Sequence, residues 1–218
     1  MKIALIGASG FVGSAVLKEA LQRGHEVTAI GRNPEKVNNH GNEKLSAHRV
    51  DVVDTGALSK ALQGHDLVVS AYNAGWTNPN LYNEFLQGSQ SIQDAVKNAG
   101  VKRLIVIGGA GSLFVAPGVQ LLDTPEFPED YKQGASAARD YLTILRDEED
   151  LDWTFLSPAI EMHPGTSGER KGTYRTGLEN PVFDQNNRSV ISVEDLATAI
   201  IDEAEDAKHP RARFTVAY

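Results

Sequence analysis

The sequence predicts an α/β fold: a doubly wound parallel sheet with helices on both faces and a small irregular C-terminal lobe. Three observations carry that expectation. Short, near-continuous apolar runs recur along the chain, helical stretches separate them, and a glycine-rich turn sits where the first run meets the first helix. Runs that are apolar without alternation suit strands buried on both faces, and strands alternating with helices suit a parallel sheet.

The apolar runs lie at residues 2–6, 26–30, 48–50, 66–70, 103–107 and 153–157. Between the first two, residues 11–23 place Val12, Ala15, Val16, Leu17, Ala20 and Leu21 at helical spacing, and Gly24 supplies the C-terminal stop. A long helix is predicted over 81–99, after the start signal Asn78-Pro79 and before Gly100. Another is predicted over 131–147, ending in the solvated acidic loop 147–150. From Pro158 onward Pro164, Gly165, Gly168, Gly172, Gly177 and Pro181 interrupt the chain too often for regular repeats. Residues 158–190 are therefore expected as an irregular substrate-side lobe of one domain spanning 1–218. Order returns with Val190-Ile191, a helix over 193–204 and a last strand over 213–216. The sequence has no internal repeat and no linker long enough to divide it.

Composition narrows the functions. Twenty-one Lys and Arg against 29 Asp and Glu give a net charge of -8, and no basic block offsets it, which argues against nucleic acid as a partner. With no cysteine, there is no disulfide, thiolate metal site or redox dithiol, so electron chemistry requires a bound cofactor. The histidines at 25, 40, 48, 65, 163 and 209 are scattered without metal-site spacing, and no metal is expected. The opening apolar run is too short for a signal-peptide core and no run reaches membrane-spanning length, so a cytoplasmic protein without a membrane partner is expected. A monomer and a homodimer are equally compatible with the sequence.

Gly7-Ala8-Ser9-Gly10-Phe11-Val12-Gly13 follows the first strand and opens the first helix. This GxxGxxG is a spacing variant of the Rossmann-type dinucleotide fingerprint in its required strand-turn-helix setting. Gly7 makes the tight turn, Gly10 lets the backbone approach a pyrophosphate, and Gly13 lets helix pack close on strand. The helix N-terminus then offers N–H groups and a positive dipole end to the phosphates. At the end of the second strand, where a dinucleotide site tests the adenosine ribose, stand Gly31-Arg32-Asn33 rather than an acid. Arginine there pairs with a 2′-phosphate, so NADP(H) is favoured over NAD(H). Asp51, beside Val52, has two readings: it accepts a hydrogen bond from the adenine amino group, or it caps the helix beginning near Asp54 or Thr55. Ala71-Tyr72-Asn73 ends the fourth strand, on the edge where such sheets bind ligands.

Together with Ser157-Pro158-Ala159 after the sixth strand, these motifs resemble the atypical short-chain dehydrogenase/reductase superfamily. Within it the chain is similar to the NAD(P)H-binding NADH-flavin reductase group, to biliverdin reductase B and to NmrA-like proteins. The resemblance extends through Gly108-Gly109-Ala110-Gly111-Ser112-Leu113, residues 151–154, residues 191–196 and the closing 213–216. It implies cofactor contacts from Gly7, Ser9, Gly10, Phe11, Val12, Arg32, Asp51, Ala71, Tyr72 and Ser157 to Ala159, with Gly108 beside them.

The chain departs from the family's usual chemistry. Catalytic members carry a Tyr with a Lys four residues later, so that the ammonium lowers the phenol's pKa. Here Tyr131 is followed four positions on by Ala135 and Tyr141 by Leu145, and Gly108-Gly109 stand where active members carry Ser or Thr. Ser112, Tyr131 and His163 are the remaining catalytic candidates. Tyr72, Trp76, Leu113 and Phe114 are candidate wall residues, and Arg170, Lys171 and Arg175 are available to an anionic substrate. Hydride transfer to a flavin, quinone or similar conjugated acceptor needs least from such a site, because the acceptor's own electronics carry the reaction. A non-catalytic NAD(P)-binding redox sensor of the NmrA-like type is the alternative, and a sugar-nucleotide epimerase or dehydratase ranks third.

Overall fold

The computed structural model describes residues 1–37 and 41–218; His40, one of the six histidines, lies outside them. In chain order the elements are β1 (Lys2–Ile6), α1 (Phe11–Gln22), β2 (Glu26–Gly31), β3 (Leu45–Arg49), α2 (Thr55–Leu62), β4 (Leu67–Ser70), α3 (Leu81–Asn98) and β5 (Arg103–Ile107). A hairpin of β6 (Phe114–Ala116) and β7 (Val119–Gln120) follows, then α4 (Glu129–Arg146), β8 (Asp152–Ser157), β9 (Arg175–Gly177), α5 (Val193–Glu205) and β10 (Ala212–Ala217). The main sheet runs β3-β2-β1-β4-β5-β8-β10-β9 and is parallel except for β9, which pairs antiparallel with β10. From β1 the chain winds outward to β3 on one side and then to β4 and beyond on the other. The C-terminal ends of β1, β2 and β4 are level, with Ile6 opposite both Ile30 and Ser70. That edge is the switch point of a Rossmann-like sheet, where strand ends diverge and leave a crevice.

Alternation along the strands divides the interior into two cores. Ile3, Leu5, Val27, Val69, Ile105 and Phe214 face α1 and α5. Ala4, Ile6, Val68, Leu104, Val106 and Phe155 face α2, α3 and α4. Both faces of each central strand are buried, which is why the sequence shows continuous apolar runs rather than alternation.

Three expectations change. The third strand begins at Leu45, not at 48, and of its residues only Leu45 is buried, so this edge strand offers no apolar run to read. The lobe supplies β9 to the sheet and a bridge between Glu161 and Val190. The hairpin β6–β7 was not expected, because its register shift and exposed valines carry no two-residue periodicity.

Side-chain hydrogen bonds hold the lobe. Fully buried Asp195 accepts from the backbone N–H groups of Lys171 and Gly172, both at 2.8 Å, and from the Tyr218 hydroxyl at 2.5 Å. The Lys171 ammonium sits 3.7 Å over the Tyr218 ring. Removing a buried carboxylate with this many donors strands all of them, so Asp195→Ala is expected to lose about 3 kcal/mol in urea unfolding. A loss near zero would show that the lobe is held by other contacts.

Tyr141 is buried and its hydroxyl has no partner among the described residues; burial, then the charges of Glu148 and Asp94, push its phenol up. The neutral form is therefore favoured by folding. This contribution is complete below about pH 10, where the unfolded phenol titrates, and is lost as pH rises above it. Tyr141→Phe is expected to unfold at lower alkaline sensitivity than the native chain; an unchanged pH profile in alkaline melts would contradict this.

Candidate functional site

At the switch point the strand ends enclose a cleft of about 580 Å³, lined by residues 6–10, 29–34, 50–53 and 71–73, with Asn80, Glu84 and Gln87 from α3 and its approach. Gly7, Ala8, Ser9, Gly10, Arg32, Asn33, Asp51, Val52, Ala71, Tyr72 and Asn73 all line it.

The glycines show why the turn has this shape. Gly7 has φ +82°, and a Cβ there would stand 2.5 Å from the Ala71 carbonyl oxygen at the end of β4. The turn closes with the Gly10 N–H donating to the Gly7 carbonyl at 3.0 Å. A Cβ on Gly13 would lie 2.1 Å from that same carbonyl oxygen, so only glycine lets α1 come down on the turn. Gly10 is different: its Cβ would meet only the Gly7 oxygen, at 3.3 Å, so its bareness faces the cleft rather than the fold. No side chain caps α1, whose first turn therefore offers N–H groups to whatever occupies the cleft. Phe11, Val12 and Gly13 belong to that turn but do not line the cleft.

Arg32 follows β2 directly and is exposed at the rim. The nearby carboxylate is engaged by another arginine: Arg49 Nη2 donates to Glu35 at 2.9 Å and Nη1 to the Arg32 carbonyl at 2.7 Å. Arg49 thereby braces the Arg32 backbone and draws Glu35 to itself. Lys36 adds a second cation to the lining. Of the two readings of Asp51, the cap falls to its neighbour: Asp54 accepts from the Ala57 N–H at 2.9 Å and caps α2, leaving Asp51 on the cleft wall with a turn contact to the Val53 N–H at 3.3 Å. Tyr72 lies against α3, where a Cβ on Gly88 would come within 2.5 Å of its ring, and its hydroxyl donates to the Glu84 carbonyl at 3.1 Å. Burial raises this phenol's pKa, opposed by the Arg32 charge.

The other end of the strand edge is built from small residues. A Cβ on Gly108 would stand 1.9 Å from the Phe155 ring, so no serine or threonine side chain fits there. The face of α4 near the end of β5 carries Gly134, with Trp76 above it, and Ala138, whose Cβ would lie 3.8 Å from one built on Gly109. Two positions four residues apart, where a phenol and an ammonium could cooperate, are thus empty of both. Ser157, which ends β8, and Pro158 and Ala159 after it are buried outside the cleft lining, and the Ser157 hydroxyl has no partner among the described residues.

The three catalytic candidates do not converge. Ser112 is buried and its Oγ accepts from Arg213 Nη1 at 3.1 Å. Arg213 also pairs with Glu179; burial alone would raise that carboxyl, but the Arg213 hydrogen bond and charge hold it below its ordinary value. Ser112 thus belongs to a brace between β10 and the lobe. His163 Nδ1 accepts from the Gly165 N–H at 3.1 Å, shaping a tight turn of the lobe. Tyr131 is exposed and packs edge-on against Trp76, with ring centroids 5.5 Å apart at 89°. Arg170 and Arg175 are also committed, to Glu19 and to the carbonyls of Phe183 and Tyr218. Sequence reasoning missed Lys36, Asn80, Glu84 and Gln87 in the lining; Lys36, four residues beyond Arg32, was the findable one.

Sheet order, glycine turn and uncapped helix together define a dinucleotide-binding protein of the Rossmann type. Residues 7–207 match the NAD(P)H-binding family, and the chain belongs to it. It is 40% identical to the uncharacterized protein YwnB of Bacillus subtilis (strain 168), over 99% of this chain and 98% of that one. Among solved structures it is similar to a candidate epimerase from Bacteroides thetaiotaomicron, with 47% identity, TM-score 0.91 and 100% and 96% of the chains covered. It is likewise similar to a candidate NADH-flavin reductase from Streptococcus pneumoniae TIGR4, with 35% identity, TM-score 0.86 and 100% and 99% covered. No helix among the described residues is long and apolar enough to cross a membrane.

The packing at Gly108 makes a direct prediction. Gly108→Ser, which restores the hydroxyl of the usual catalytic set, is expected to destabilise the fold by about 2 kcal/mol through overpacking against Phe155. It should bring no alcohol dehydrogenase activity. A variant as stable as the native chain in thermal melts would mean that Phe155 moves freely.

Proposed function

We propose that this protein is an NAD(P)H-dependent reductase, preferring NADPH, that passes hydride to a flavin, quinone or similar conjugated small-molecule acceptor. The carrying observation is the pairing of a dinucleotide cleft with a β5 end at which Gly108, Gly134 and Ala138 leave no room or group for a serine-tyrosine-lysine relay. An epimerase or an alcohol dehydrogenase of the usual type needs that relay to move protons. A conjugated acceptor does not, because its ring delocalises the charge that arrives with the hydride.

In this reading the N–H groups of Ser9 to Val12 hold the pyrophosphate at the start of α1, and Asp51 and Val52 border the adenine. Arg32, Asn33 and Lys36 meet the 2′-phosphate, while Ala71 to Asn73 lead toward the reacting end, bordered by Gly108 and by Ser157 to Ala159. When bound, the nicotinamide supplies two electrons and one proton as hydride; the second proton comes from water, leaving NAD(P)⁺ and the doubly reduced acceptor. The small-residue surface orients the acceptor and excludes water from its face rather than carrying protons.

The test follows cofactor absorbance with NADPH and NADH at matched concentrations against free flavins, quinones and tetrapyrroles. Saturable turnover with one acceptor class is expected; binding without turnover across all of them would favour the redox-sensor alternative. Arg32→Ala is expected to weaken NADPH about tenfold to a hundredfold and NADH little, as loss of a charge-assisted phosphate contact requires. Equal losses in titrations of both cofactors would sink the 2′-phosphate assignment.

A further inference from the structure

The loop between β4 and α3 leaves the cleft at Asn73 and returns to it at Asn80, carrying Trp76 between. It is a braced loop. Asn73 Oδ1 accepts from the Gly75 N–H at 2.7 Å, and Asn78 Nδ2 donates to the Ala74 carbonyl at 3.2 Å and to the Glu84 carboxylate at 2.7 Å. This loop presents Trp76, which is 58% exposed, beside Tyr131, which is 53% exposed. The two rings meet edge to face over α4.

Beneath the indole the helix gives up a side chain. A Cβ on Gly134 would stand 2.7 Å from Trp76 Cζ3 and 3.3 Å from Leu81 Cδ2. Glycine inside a helix is unfavourable, and here its effect is to let the indole come down against the helix backbone. One turn further on, Ala138 reaches Gly109 at the end of β5, so the aromatic pair and the β5 end share one face of α4. The pair therefore borders the acceptor side of the site.

We propose that Trp76 and Tyr131, seated over Gly134, form the platform on which the planar conjugated acceptor stacks. This deepens the reductase reading and rests on it for the identity of the ligand. An edge-to-face pair offers an incoming ring the face of one aromatic and the edge of the other, an arrangement that aromatic quadrupoles favour. Indole and phenol are electron-rich, whereas an oxidised flavin or quinone is electron-poor. The platform thus favours the oxidised acceptor over its reduced product, which helps the product leave.

The two tryptophans make the test direct, because Trp153 is buried at 3% exposure and Trp76 is the exposed emitter. The protein is saturated with NADP⁺, so that no hydride is available, and titrated with FMN or menadione. Saturable quenching of the Trp76 emission is expected, with the Trp153 emission remaining. Gly134→Ala, which displaces the indole without deleting it, should raise the midpoint about fivefold. In Trp76→Ala the binding read from FMN's own fluorescence should weaken about tenfold, and Trp76→Phe should recover most of it, with NADP⁺ affinity unchanged throughout. Quenching that grows linearly without saturating, or an alanine variant that binds FMN as well as the native chain, would overturn the platform. The two readings separate cleanly. Saturable stacking without NADPH oxidation keeps the platform and removes the reductase, and turnover with an unchanged acceptor KM in Trp76→Ala does the reverse.

Discussion

The contact on which the rest of the site depends is between backbone and backbone. Gly13 must come within a side chain's width of the Gly7 carbonyl, and Gly7 must lie against the Ala71 carbonyl. These two approaches fix the start of α1 over the ends of β1 and β4, and with it the direction in which its N–H groups point. The far side of the helix is held electrostatically. Buried Glu19 accepts from Arg23 and from Arg170 of the lobe, each at 2.8 Å, and Arg23 reaches Asp202 and Glu205 on α5. Removing one partner of such a network leaves the others short of a charge-assisted hydrogen bond, most severely at buried Glu19. Glycines thus set where α1 meets the cleft, and ion pairs set where it meets the lobe.

The two ends of the strand edge have opposite character. Around β1, β2 and β4 the cleft carries Arg32, Lys36, Asp51 and Glu84, charges suited to a polyanionic, hydrogen-bonding ligand. Around β5 and α4 the surface is glycine, alanine and aromatic rings. Ser112 and Glu179 are engaged by Arg213, and His163 by its own turn. The first end thus offers a ligand charge and hydrogen bonds, and the second offers apolar surface.

The sequence was legible where its signals are local. The β1–α1–β2 unit needs only an apolar run, a glycine turn and a 3.6-residue period, and Arg32 follows from counting to the end of a strand. Edge strand β3 was misplaced because four of its five residues face solvent. The meaning of Gly108 was half visible: the missing hydroxyl could be read, but not the Phe155 ring that excludes it, because that ring comes from a neighbouring strand distant in sequence. Ser112 looked catalytic for the same reason, as its partner Arg213 lies near the other end of the chain. Long-range pairs of this kind leave no periodicity and no spacing in a single sequence.

Likeness to a candidate epimerase and to a candidate flavin reductase, both covering the whole chain, shows how little this fold decides about chemistry. What separates the two reactions is the proton. A sugar carbonyl accepting hydride becomes a strongly basic alkoxide, so a positioned acid is needed at the moment of transfer. A quinone or flavin spreads the incoming charge over its ring and takes its proton from water afterwards. Here Gly134 and Ala138 on the α4 face carry no acid, and the Phe155 ring fills the space over Gly108 where a hydroxyl would stand. Under the proposed reductase reading, such a site selects acceptors by electronic structure together with their fit against the surrounding rings.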